Sequence, residues 1–404
     1  MTGRGRAVLL LGVFCWVVAV IFGSRALYPV AAGLVLAVPL ALSWVRVVAR
    51  RPELRRRWTH RDLVEGRDVT IDLRLTRDST APLPSVVARE RIGRLGEHDV
   101  ELRGCGRGVA TGRYELPEVP RGRYRFEAVR LSIADPFGLA ETEFALEEDQ
   151  ALVVYPDLVE LERPFFDAGA GPNHGRRLLL RRPVGFELHS VREYQQGESL
   201  RRVHWPTTAR RGQLMVKELE DSPRDEVAVL LDGDAAAVAG SPPDSSFDAA
   251  VRAAGSILFA QVQSGRRCVL VLNTAGRETQ SVSAEGPGWD RARDLLAAAE
   301  PDARNAAAAL LAAGAGPAAR ALELVVVTSR VEPALVSRLL ERALSHRPVA
   351  LVHVEAGSFA GRPHRPEPGL LQLQAAGVPI AVVRRGEDLA TALSAPRAGE
   401  VAHA

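Results

Sequence analysis

Two carboxylates separated by one residue, Asp232 and Asp234, close an unbroken apolar run over 227–231, and Thr328 closes a nearly apolar run over 322–327. Runs of this kind, alternating with helix-like spacing, read as parallel strands joined by crossover helices. In such sheets ligands bind beyond the carboxyl ends of the strands, so Asp232, Asp234 and Thr328 are expected at one mouth. The competing role for the two aspartates is to cap the turn that follows.

Other reactive residue types lack partners at catalytic spacing. His189 and His204 belong to no His-Glu-x-x-His pattern and have no neighbouring Cys pair, so both are expected to be hydrogen-bonded structural histidines. Cys268 follows Arg266 and Arg267, which would lower its pKa, yet it opens an apolar strand where a thiol packs as a small hydrophobe. The sequence has no Gly-x-Ser-x-Gly elbow and no Gly-rich nucleotide loop.

Charge concentrates in 171–224, with eleven Lys or Arg against six Asp or Glu, including Arg pairs at 176–177 and 181–182. Arg192, Glu193, Arg201 and Arg202 are near enough to Glu198 and Glu218 for an ion-pair network that holds register. A surface for an acidic partner is the other reading.

This stretch resembles a known family. Gly185-Phe186-Glu187, then Arg192-Glu193-Tyr194-Gln195-x-Gly197-Glu198-Ser199-x-Arg201-Arg202-x-His204-Trp205, then Thr208-Ala209-Arg210 look like the signature of the domain of unknown function 58 proteins. Upstream, Arg121-Gly122-Arg123-Tyr124 and Asp135-Pro136-Phe137-Gly138-Leu139 resemble that family's other recurrent features. The resemblance implies a bacterial membrane protein with an N-terminal hairpin, a β-rich region, this motif and a von Willebrand factor A-like domain, often associated with MoxR-type AAA+ ATPases. It implies interaction or structural roles for Arg192, Glu193, Tyr194, Gly197, Arg201, Arg202, Trp205 and Arg210, and no catalytic residue. In von Willebrand A-like domains the mouth holds a divalent metal through an Asp-x-Ser-x-Ser loop and further Thr and Asp ligands. Here Asp232 matches, Asp234 replaces the first Ser and Ala236 the second, and Thr328-Ser329-Arg330 stands where Thr-Asp-Gly is usual. The metal site is therefore degenerate.

The elements that position these residues follow from composition and period. The chain has 404 residues, 47% hydrophobic and 25% charged, which excludes wholesale disorder. Cys15, Cys105 and Cys268 are odd in number, far apart and match no disulfide framework or zinc spacing. The basic pI near 9 is local: residues 1–45 carry +3 and 46–61 carry +6, which leaves −6 for the rest. Bulk nucleic-acid binding loses its support. Lys217 is the sole lysine among 52 basic residues, a bias toward Arg in coding more than selection for phosphate.

From 7 to 45 the only charge is Arg25, so two apolar spans, 7–24 and 26–45, read as a hairpin in lipid. A cleaved signal peptide is the alternative for the first, but no small-x-small site ends it convincingly and a second span follows at once. Arg4 and Arg6 before the hairpin and the Arg run after it put both termini in the cytoplasm.

The fold class expected is a membrane-anchored α+β multidomain protein. Its parts are a transmembrane hairpin (1–48), an Arg-rich juxtamembrane linker (49–61), a β-sandwich-like domain (62–155), the motif segment (156–224), a von Willebrand A-like, Rossmann-like α/β domain (225–395) and a tail (396–404). Asp135-Pro136-Phe137-Gly138 is a turn by mechanism, since Asp caps its own backbone, Pro fixes φ and Gly accepts positive φ. The function expected is a non-catalytic adaptor in the cell membrane, held by lipid around 7–45 and engaging a protein partner such as an AAA+ ATPase, with no cofactor. The alternative is a magnesium-dependent receptor or enzyme using Asp232 and Asp234.

Overall fold

The computed structural model describes residues 1–49, 52–58, 62–77, 86–147, 150–161, 163–166, 188–193, 203–219, 227–283, 287–312 and 316–395. The chain divides into two units, 1–156 and 157–404.

The first unit opens with two helices, α1 (Gly3–Phe22) and α2 (Leu27–Val48). Thr2 caps α1 by accepting from the Gly5 amide, and Gly23 ends it at φ +63, the left-handed conformation that glycine adopts without strain. A Cβ on Gly12 would lie 2.9 Å from the Val35 side chain and 3.1 Å from its backbone nitrogen, so glycine there lets the two helices approach. Leu10, Phe14, Phe22, Leu36 and Leu40 all face outward. Both helices are long and apolar enough to cross a membrane.

Ten strands follow: β1 (Glu53–Trp58), β2 (Leu63–Val64), β3 (Val69–Thr76), β4 (Val86–Arg91), β5 (Glu97–Gly106), β6 (Val109–Leu116), β7 (Gly122–Arg125), β8 (Val129–Ala134), β9 (Glu141–Leu146) and β10 (Ala151–Tyr155). They form a seven-stranded sheet, β1-β3-β6-β5-β4-β8-β9, and a three-stranded sheet, β2-β10-β7. Buried and less buried positions alternate along β3. Val69, Ile71, Leu73 and Leu75 are buried, in one core with Leu152 and Val154 of the smaller sheet.

One sequence expectation fails here. Within the supposed linker 49–61, residues 53–58 are a strand paired antiparallel to β3 along its whole length, Glu53 opposite Thr76 through Trp58 opposite Ile71. The period of two was masked because an arginine occupies a buried position. Arg56 points inward and its Nε donates to Glu90 Oε1 at 2.6 Å, with both side chains buried. Tyr114 donates its hydroxyl to the other Glu90 oxygen at 2.5 Å. Phe126 covers the guanidinium at 4.7 Å, a cation–π contact.

In the second unit, β11 (Leu188–Glu193) and β12 (Met215–Leu219) form an antiparallel pair that brackets the short helix Trp205–Arg211. Then come β13 (Val227–Asp232), β14 (Cys268–Asn273), β15 (Thr279–Val282), β16 (Glu323–Thr328), β17 (Val349–Val354) and β18 (Ile380–Val383). Their order is β15-β14-β13-β16-β17-β18. All neighbours are parallel except the edge strand β15, and this is a doubly wound arrangement. The inner strands β13, β14 and β17 are buried at every position because both faces are covered. Val227, Val229 and Leu231 join one core with the helix Ser246–Gln263, while Ala228 and Leu230 join a second core with the helix Pro333–Leu344. A capping box sets the start of Ser246–Gln263: Ser245 and Asp248 each bond the other's backbone amide. The described residues of 297–322 include the end of helix Gly288–Ala298 and two helical turns at Ala307–Leu310 and Pro317–Arg320.

Candidate functional site

The carboxyl edge of this sheet is polar because each strand's apolar run ends in a hydrogen-bonding residue. Asp232 and Asn273 are register partners at the ends of β13 and β14, and Thr328 ends β16 beside them. Asn273 Nδ2 donates to Asp232 Oδ1 at 2.8 Å, and the Thr328 hydroxyl donates to Asp232 Oδ2 at 2.8 Å. Burial pushes the Asp232 carboxyl up, partly opposed by these two hydrogen bonds. Gly233 follows, where a Cβ would fall 2.6 Å from the Asn273 carbonyl oxygen. Only glycine allows that approach.

Asp234 turns the other way. Its Oδ1 accepts from the Ala236 amide at 3.0 Å and caps the turn Ala235–Ala237, as the capping alternative holds. Its Oδ2 lies 3.1 Å from the Arg330 guanidinium, whose Nε also reaches Glu332 at 3.3 Å. The structure thus brings Asp232 and Thr328 into direct contact and leaves Asp234 paired with an arginine.

These residues do not fit a divalent cation. Asp232 already accepts two hydrogen bonds, and the guanidinium beside Asp234 would repel a metal at the mouth. Ala236 supplies no hydroxyl. Among the described residues no group of three His, Cys, Asp or Glu is arranged to hold a metal ion.

A second polar cluster on the same edge escaped sequence reading. Glu355, just after β17, accepts from Arg384 Nε at 2.7 Å and lies 2.7 Å from His364 Nδ1. Arg384, just after β18, also reaches Glu387 at 3.1 Å. Burial pushes the Glu355 carboxyl up, but the bonds from His364 and Arg384 outweigh it and hold it below its usual range. Buried His353, next to this cluster, is pushed down to about 4 by burial. The signal was present: Glu355 and Arg384, like Asp232, each follow an apolar strand.

The motif residues divide by position. Arg192 and Glu193 lie on β11, opposite Val216 and Met215. Tyr194, Gly197, Arg201 and Arg202 lie outside the described residues, as do the Arg pairs at 176–177 and 181–182, the segment 185–187 and the tail 396–404. Trp205 and Arg210 sit on the helix Trp205–Arg211. His204 caps that helix: its Nδ1 lies 2.7 Å from the Thr207 hydroxyl and 3.4 Å from the Thr207 amide. The side chain of His189 lies outside the described set. Trp205 is 64% exposed, and Arg210 and Arg211 beside it are exposed. Cys268 is buried where β14 begins.

A doubly wound α/β unit with a self-paired polar edge and an exposed tryptophan on a basic turn of helix is the class these features define. Residues 190–355 match the family model described as protein of unknown function DUF58. The uncharacterized protein YeaD of Bacillus subtilis (strain 168) is 32% identical over 162 residues, 38% of this chain and 37% of that protein. The chain therefore spans little more than a third of that relative's length. Among solved structures, the C-terminal domain of wzt gives a TM-score of 0.19 at 14% identity, covering 27% of this chain and 81% of that one. The putative ApaA protein from Bordetella pertussis gives 0.18 at 12% identity, covering 26% and 92%. At such scores neither likeness bears on the fold.

Proposed function

We propose that this protein is a membrane-tethered, non-catalytic adaptor whose second unit engages a protein partner, an AAA+ ATPase of the MoxR type. The observation that carries the reading is the exposure of Trp205 beside Arg210 and Arg211 within the family-matched segment. The few residues that carry most of the binding energy of protein interfaces are enriched in tryptophan and arginine. The kind of partner comes from the resemblance alone.

The hairpin α1–α2 spans the cell membrane twice in this reading, with both termini cytoplasmic. Arg4, Arg6 and Arg46 at its open end against Arg25 in its loop support that orientation. The second unit is a von Willebrand A-like domain without its metal. The doubly wound strand order and the Arg330–Asp234 ion pair support this.

The test uses the full chain in detergent as bait, with and without ATP. Wild type captures an AAA+ ATPase only with nucleotide bound, and Trp205→Ala lowers the capture at least tenfold with unchanged thermal unfolding. Undiminished capture by Trp205→Ala and Arg210→Ala overturns the proposed surface, and turnover of a substrate by the purified chain overturns the non-catalytic reading.

A further inference from the structure

The turn 135–138 combines three features. First, it is rigid. Asp135 is buried, its Oδ2 accepts from the Phe137 amide at 2.9 Å and its Oδ1 from the Ala140 amide at 2.5 Å. Gly138 closes the turn at φ +68, with its amide bonded to the Asp135 carbonyl at 3.0 Å. Second, the turn is fastened to the open end of the apolar hairpin. The Thr2 hydroxyl donates to the Gly138 carbonyl at 2.6 Å, and the Thr2 amide donates to the Leu139 carbonyl at 3.1 Å. Leu139 and Ala140 pack on Ala41 and Val45 of α2. Third, at its tip Phe137 is 78% exposed on this hydrogen-bonded frame.

The level of the turn along the hairpin is set by Gly5. A Cβ on Gly5 would lie 2.1 Å from the Leu139 oxygen, so helix and turn touch there. The apolar run begins two residues later, at Ala7, roughly 3 Å along a helix rising 1.5 Å per residue. Trp44, 40% exposed on α2, lies near the same end, where tryptophans gather at membrane interfaces. Arg4 also lies there: a Cβ on Gly138 would be 3.7 Å from its guanidinium, a cation suited to lipid phosphates.

We propose that Phe137 is an interfacial anchor that inserts between lipid headgroups, so that the first unit's strands β8 and β9 are pinned against the bilayer as well as tethered to it. The proposal rests on the reading of α1–α2 as a membrane-spanning hairpin. Its occupant is the lipid surface itself, because the turn that carries the exposed ring is fastened to the open end of the apolar hairpin and has Arg4 beside Gly138.

The test is site-directed spin labelling of the full chain in phosphatidylethanolamine–phosphatidylglycerol vesicles, with Cys15, Cys105 and Cys268 replaced by serine. Labels are placed singly at Phe137→Cys, at Leu36→Cys within α2 and at Arg103→Cys on β5. Collision with oxygen, enriched in lipid, is compared with collision with a water-soluble nickel chelate. The oxygen-to-nickel ratio at 137 is expected to exceed that at 103 at least fivefold and to approach that at 36. A ratio at 137 equal to that at 103, with 36 still lipid-like, overturns the anchor and leaves the hairpin standing. Shielding of 137 from both colliders also overturns it, since protein would then cover the ring. Water-like values at 36 and 137 together overturn the hairpin reading and the anchor with it.

Discussion

The Arg330 guanidinium lies 3.1 Å from the Asp234 carboxylate, across the mouth where an α/β sheet ordinarily receives its ligand. The same arginine reaches back through its amide to the Thr328 hydroxyl at 3.0 Å, and Thr328 in turn holds Asp232. Four residues from two strand ends thus satisfy one another.

The first prediction concerns that closure. Saturable binding of manganese, followed by electron paramagnetic resonance on the full chain in detergent, is expected to be absent below millimolar concentration, and EDTA is expected to leave the thermal transition unmoved. Asp232→Ala removes an acceptor from two buried donors and should cost about 1–3 kcal/mol. A micromolar manganese site lost in Asp232→Ala would refute the closed mouth.

The buried Arg56–Glu90 pair sets the second. Removing one member leaves the other charge uncompensated in the sandwich core, so Glu90→Leu or Arg56→Met should each cost about 3–5 kcal/mol. The double variant should cost clearly less than the two effects summed. Hydrogen exchange in peptides covering β1 and β4 reads this, and additive effects would show that the two side chains are not coupled.

His353 gives a pH dependence. Its folded pKa of about 4 lies below the ordinary 6.5, so the unfolded chain takes up a proton that the folded chain refuses. Stability contributed by His353 is full above about pH 6.5, falls as pH drops toward 4, and is constant below. The Glu355 carboxylate favours the protonated form but does not outweigh burial, which the charges of His364 and Arg384 reinforce. The full shift corresponds to about 3 kcal/mol as an upper value. Hydrogen exchange in β17 between pH 4 and 7 should show this slope in wild type and lack it in His353→Leu. An equal slope in both would assign the dependence to another group.

Gly5 provides the fourth. Gly5→Ala would set a methyl 2.1 Å from the Leu139 oxygen, so helix and turn must part. Amide exchange at Phe137 and Ala140 should rise more than tenfold in detergent-solubilised Gly5→Ala. Thr2→Ala, which loses the cap but makes no clash, should cost only about 1 kcal/mol. Unchanged exchange in Gly5→Ala would mean the contact is dispensable.

Much of this architecture was legible along the chain. The two long apolar runs became α1 and α2, and the apolar runs ending at Asp232 and Thr328 became β13 and β16. Each signal is local: burial of one face or both dictates the spacing of apolar residues within a single element. Asp135 and Gly138 likewise announced their turn, because its geometry needs only near neighbours.

What the sequence could not decide were partnerships between distant residues. Arg56 reads as one more juxtamembrane charge until Glu90, thirty-four positions later, is seen to neutralise it inside the sheet. Asp234 reads as a metal ligand until Arg330, ninety-six positions away, is found on its carboxylate. Glu355, His364 and Arg384 carry no motif at all and meet only because β17 and β18 are neighbours. Residue type and spacing determine which elements form, since those forces act within a few residues. Which charges meet, and whether a polar edge stays open or closes on itself, depends on strand order, and only the folded chain sets that.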